Sequence, residues 1–172
     1  MDCMQSCISK KYKGERKLLE TARGLLYVNK NVENDLPNYK EGYVFIKRTK
    51  YIDGKDVIYY ALPGGHLDKG EVAEEAVIRE LKEELNVNVK VKKLILEMYN
   101  KNIGKKEYFF SLEYLDGILK EGNGEEFTNP CEEKYGKYEI VIIDKAEIEN
   151  YNILPIEMKE LIKKAETIDL ES

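Results

Sequence analysis

The chain has 172 residues, 42% of them apolar and 35% charged, with a net charge of −5. That is enough apolar content for one good core without a second domain, and the acidic balance argues against nonspecific affinity for nucleic-acid backbones. No run of 18 apolar residues and no apolar leader occurs, so a membrane span and a secretory signal are not expected and a cytoplasmic location is. Cys3, Cys7 and Cys131 are few and odd in number, and free thiols in a reducing cytosol are the expectation for them.

Residues 1–20 are polar and aperiodic and read as a lead-in to a single domain over 21–172. Ala22, Leu25, Leu26, Tyr27 and Val28 mark a first strand, 29–39 a polar loop with Pro37, and 43–48 a second strand. Asp53 and Gly54 turn the chain into a third strand at 57–61, which delivers Leu62, Pro63, Gly64 and Gly65 to a sharp turn. Two adjacent glycines let backbone groups approach a metal or a phosphate closely.

From 71 to 85 the chain lacks Gly and Pro and predicts a helix. At about 100° per residue, Glu80, Glu83 and Glu84 project from one side of it, and such like charges each cost an isolated helix about 0.2–0.5 kcal/mol. Glu75, Arg79 and Lys82 form the solvated arc. Ala73, Ala76, Val77 and Leu81 form the apolar one, and Glu80 and Glu84 fall within it. Partly buried acids need a compensating cation. Hard oxygen donors suit Mg²⁺ or Mn²⁺, and no Cys/His set supports zinc.

After the helix, 89–99 and 107–115 read as strands joined by a turn at 100–106, and 116–137 as a loop rich in Gly, Asn and Glu. Residues 140–143 predict a buried strand. Pro155 opens a last amphipathic helix with Met158, Leu161, Ile162 and Ala165 on one face. Strands on either side of a central helix, with a closing helix, imply an α/β sandwich with a mixed sheet.

Gly65, Glu71, Arg79, Glu80, Leu81, Glu83, Glu84 and Val87 match, in order and spacing, a pattern that resembles the box of the Nudix hydrolases, spanning 65–87. Asn86 stands where that family has Gly. The position follows the helix and calls for left-handed backbone, which Asn tolerates.

The resemblance implies a Nudix-like α/β/α sandwich and Mg²⁺-dependent (or Mn²⁺-dependent) hydrolysis of a diphosphate linkage in a nucleoside diphosphate derivative, in nucleotide housecleaning or signalling turnover. It implies Glu83 and Glu84 as first metal ligands with the Gly64 carbonyl, Glu80 as either a further ligand or the base, and Arg79 as partner of Glu80 or Glu71. Glu71 would be structural or stand behind the metal ligands. An additional acid from a later segment would be Glu139 first and Glu126 second, and His66 a turn or rim residue. Base-stacking candidates are Tyr43, Phe45, Tyr60, Tyr108 and Phe127. The proline that follows the box in ADP-ribose enzymes and the tyrosine of dinucleoside polyphosphate enzymes are both missing. Two non-enzymatic readings compete, a nucleotide-binding or sensor module and an interaction domain whose acids only bind Mg²⁺. A homodimer is allowed, and neither membrane nor stable nucleic-acid binding is expected.

Overall fold

The computed structural model describes residues 18–123 and 136–164. Cys3, Cys7, Glu126, Phe127, Cys131 and Ala165 lie outside the described residues. Strands β1 (Leu19–Val28), β2 (Gly42–Ile52), β3 (Lys55–Ala61) and β4 (Gly64–His66) precede helix α1 (Ala73–Leu85). Then come β5 (Val87–Asn100), β6 (Lys105–Gly117), β7 (Lys137–Ile143), a 3-10 turn (Lys145–Asn150), β8 (Ile153–Leu154) and helix α2 (Ile156–Lys164).

The strands join in the order β5-β6-β1-β2-β3-β8, with β4 added to β1 and β7 to β2. The sheet is mixed: β1 runs parallel to β6 and antiparallel to β4, and β2 is antiparallel to both β3 and β7. β1 meets β2 only at Tyr27↔Tyr43 and Val28↔Gly42, so the two halves of the sheet are hinged at that corner.

Alternation along the strands divides the apolar residues between two faces. Ala22 and Leu26 of β1, Val44 and Ile46 of β2 and Phe110 and Leu112 of β6 join Ala76, Val77, Leu81 and Leu85 of α1 in one core. Leu25, Tyr43, Phe45, Phe109 and Ile143, one position out of phase, pack with Met158 and Ile162 of α2 in the other. The expected α/β sandwich with a mixed sheet is the observed fold. Among the described residues no helix is long and apolar enough to cross a membrane.

Several boundaries differ from the sequence reading: β2, β3 and β7 extend beyond 43–48, 57–61 and 140–143, and β8 has no counterpart there. β1 starts at Leu19, because Leu19 and Glu20 pair with Lys105 and Lys106 of β6, so the lead-in ends sooner than residue 20. β5 and β6 run further than their apolar residues, since ladder bonds continue through exposed positions. The glycine turn carries a short strand, β4, laid against β1 through Thr21↔His66, Ala22↔Gly65 and Arg23↔Gly64. And α1 begins at Ala73 rather than at 71, because the Glu71 carboxylate bonds the Asp68 amide at 2.9 Å in the preceding turn.

Candidate active site

Helix α1 presents its acids in two environments. Glu80 and Glu84 are 9% and 3% exposed, on the face that packs against the sheet, whereas the Glu83 side chain is 51% exposed. The expected apolar-arc placement of Glu80 and Glu84 is therefore what the helix adopts, and Glu83 stands at its solvent edge. The two glycines let the turn lie close to the helix on one side and to β1 on the other. A Cβ on Gly65 would lie 2.6 Å from Glu80 Oε1, and one on Gly64, whose φ is +136°, would lie 2.2 Å from the Ala22 carbonyl oxygen.

The peptide at Gly64 is held from both ends. Its N–H donates to Glu84 Oε2 at 2.8 Å, and its carbonyl accepts from Arg23 Nη1 at 3.3 Å. Arg23 Nη1 also donates to the Leu62 carbonyl at 2.9 Å, and the Gly24 amide to the Pro63 carbonyl at 2.9 Å, so β1 fixes the whole turn. The Arg23 guanidinium is thereby committed to the turn. Its position opposite Gly64 follows from pairing between segments far apart in the chain, which no local pattern encodes.

Arg79 does both of the things the resemblance left open. Nε and Nη2 fork onto the two oxygens of Glu71 at 2.9 Å each, and Nη1 reaches Glu80 Oε1 at 2.9 Å and Glu83 Oε2 at 3.3 Å. Nη2 also donates to the His66 carbonyl at 3.0 Å, which ties α1 to β4. Hydrogen bonds from Arg79 hold the Glu71 carboxyl below its ordinary pKa, and Glu71 in turn raises that of the guanidinium. Glu71 thus joins the turn before α1 to Arg79, and His66 contributes its backbone carbonyl to this network.

Among the described residues no group of three or more His, Cys, Asp or Glu side chains is already placed to hold a metal ion. Arg79 occupies the space between Glu80 and Glu83 that would otherwise leave like charges opposed. The donor chemistry fits a hard divalent cation nonetheless. Glutamate oxygens on successive turns of one helix lie against a turn of two glycines, Glu80 beside Gly65 and Glu84 on the Gly64 amide, and carboxylates are the oxygen donors such a cation takes.

Glu139 lies elsewhere. On β7 it pairs with Lys47 of β2 at 3.3 Å and with Lys137 at 3.6 Å. It lines a cleft of about 580 Å³ together with Lys40, Lys47, Tyr60, Glu121 and Tyr151, and none of the box acids lines that cleft. Tyr60 packs edge-on against Tyr151 with centroids 5.0 Å apart. Of the stacking candidates, Tyr43 and Phe45 are fully buried and belong to the core, which removes them as base platforms. Tyr108 donates to Glu20 at 2.9 Å and Tyr60 borders the cleft. The residues missed from the sequence are Lys40, Lys47, Glu121 and Tyr151, each of which reaches the cleft only through long-range packing.

A family model for the NUDIX domain matches residues 36–163, which includes the whole glycine turn and α1. The chain belongs to the NUDIX family. A 36-residue segment is 56% identical to the ADP-ribose pyrophosphatase of Methanocaldococcus jannaschii, spanning 21% of this chain and 21% of that protein. Among solved structures, the MutT protein of Methanosarcina mazei Go1 superposes with a TM-score of 0.53 at 16% identity over 88% of this chain and 94% of that one. A NUDIX hydrolase of Nitrosomonas europaea gives 0.55 at 16% identity over 85% and 70%. At such identities these two likenesses establish the NUDIX fold alone.

Proposed function

We propose that this NUDIX domain hydrolyses a diphosphate linkage in a nucleoside diphosphate derivative with the help of a divalent cation, Mg²⁺ or Mn²⁺. The observation that carries the reading is the pair of acids on the apolar face of α1, with Glu84, 3% exposed, bonded to the Gly64 amide at the glycine turn. Carboxylates on the core-facing side of a helix are costly, and a divalent ion at the glycine turn would add to the compensation that Arg79 and the Gly64 amide supply.

Glu83 and Glu84, with the Gly64 carbonyl, would hold the cation. When bound, it would neutralise phosphate charge and lower the pKa of a water molecule. Glu80 either adds an oxygen to that set or takes the proton of the attacking water. Arg79 keeps Glu80 and Glu83 in register from one guanidinium. The Gly64 amide orients Glu84 by donating to its Oε2. Glu139, paired with Lys47 in the cleft, acts at the substrate side rather than beside the helix acids. The cleft, with two lysines for phosphate and the Tyr60–Tyr151 pair for a flat group, suits the rest of a nucleotide.

The deciding experiment is product release from a panel of nucleoside diphosphate derivatives, with and without Mg²⁺. ADP-ribose leads the panel because of the aligned segment shared with the Methanocaldococcus jannaschii protein. Metal-dependent turnover of at least one compound is expected. Binding without turnover of any would replace the enzyme by a nucleotide-sensing module.

A further inference from the structure

Asn86, the one departure from the family pattern, adopts φ +59° and ψ +29°, and its amide N–H closes α1 on the Lys82 carbonyl at 3.1 Å. Glycine would serve that backbone equally well, so the conformation does not explain the side chain. What the side chain adds is a hydrogen bond: Nδ2 donates to the Ile118 carbonyl at 3.0 Å.

Ile118 begins a segment that lies across the end of the acid-bearing helix. The Lys120 amide donates to the Leu85 carbonyl at 3.2 Å and the Gly122 amide to the Glu84 carbonyl at 2.8 Å. A Cβ on Gly122 would fall 1.7 Å from the Glu83 carbonyl oxygen, so only glycine allows this contact. On its other side the segment is anchored through Leu119, fully buried, whose amide donates to the Glu33 carbonyl at 2.8 Å and whose carbonyl accepts from Asp35 at 2.9 Å. Glu121, between the two bonded amides, lines the cleft with Glu139 and Lys47. The segment therefore has the backbone of Glu83 and Glu84 on one side and the cleft on the other.

We propose that Asn86 is a positioning residue: its carboxamide pins the 118–122 segment across the carbonyls of Glu84 and Leu85, and so fixes the cleft wall at Glu121 relative to the helix acids. This rests on the reading of helix acids and cleft as one hydrolase site. The tether sets how well the substrate is seated, and so acts on KM more than on kcat. The turn itself needs only a residue that accepts positive φ, so the side chain can be removed without disturbing it.

Asn86→Gly removes the tether and keeps the backbone, while Asn86→Asp keeps the shape and removes the donor. Amide hydrogen exchange, binding of ADP-ribose by calorimetry without metal, and steady-state kinetics with Mg²⁺ are compared with the unsubstituted protein. Faster exchange at Lys120 and Gly122 is expected in both variants, with KM and the calorimetric Kd raised about three- to tenfold, the size of one lost hydrogen bond, and kcat little changed. Unchanged exchange in Asn86→Gly overturns the tether. Faster exchange with KM and Kd unchanged overturns the positioning role and leaves a stabilising bond only. Absence of turnover in the unsubstituted protein would sink the proposed activity, and the exchange comparison would still decide the tether.

Discussion

Replacing Arg79 by Ala removes a guanidinium that bonds three carboxylates and one carbonyl at once. The Arg79 side chain is 27% exposed, and those of Glu71 and Glu80 are 13% and 12% exposed, so the substitution strands two acids that water reaches poorly. A fully buried pair broken on one side costs about 3–5 kcal/mol and a surface pair about 0–1. This cluster lies between those limits, nearer the buried one, and a loss of about 2–4 kcal/mol is expected. For a chain of this size that corresponds to a Tm lower by about 5–15 °C.

The pH dependence has a definite sign. Glu71 titrates below its ordinary value in the folded protein because Arg79 bonds to it. Its contribution is then fully present above the unfolded carboxyl pKa of about 4.3 and is lost as pH falls through the folded value. The gap between the native protein and Arg79→Ala should be widest near neutrality and should shrink below about pH 4. Urea or thermal melts at neutral and acidic pH measure it. Arg79→Lys should recover less than half, since one ammonium cannot reproduce a fork on Glu71 together with a bond to Glu80. A Tm for Arg79→Ala equal to that of the native protein, or a gap that widens on acidification, would refute the account.

Glu84→Gln keeps an acceptor for the Gly64 amide and should fold normally, yet lose turnover by about a hundredfold or more. Full activity would remove Glu84 from the cation site. Gly65→Ala places a methyl 2.6 Å from Glu80 Oε1. The carboxylate can swing away, so stability should fall little while kcat falls about tenfold or more, as misplacement of a reacting group does. Unchanged kinetics would mean that Glu80 has no positional role. Arg23→Gln loses the bonds to the Leu62 and Gly64 carbonyls and should lower stability by about 1–3 kcal/mol, read in a denaturant melt. Because Gly64 is shared with Glu84, turnover should drop too, and retained activity at lower stability would confine Arg23 to the fold.

The site is legible in the sequence to the extent that its geometry is local. The spacing of Glu80 and Glu84 among Ala76, Val77 and Leu81 follows from helical periodicity, and the structure buries both acids on that face. Asn86 needs left-handed backbone because it closes the helix, and it has it. The same holds for the Asp53-Gly54 turn, where both residues take positive φ between two strands. Tyr43 and Phe45 fared differently, since alternation says that they leave the chain on one face but not that α2 covers that face.

By itself the sequence determined the box, the order of the longer strands and the two helices, and the apolar face of each helix, because those depend on residues within a few positions of one another. Tertiary structure decided the rest. That β1 lies between β6 and the glycine turn, putting Arg23 on the Gly64 carbonyl, depends on pairing across 41 positions of chain. That Lys47 meets Glu139, that Tyr60 meets Tyr151, and that residues 118–122 cross the end of α1 depends on which segments bury one another. Burial is a property of the whole packed chain, so the partners of each acid, unlike its direction from the helix, become defined only when the sheet closes around it.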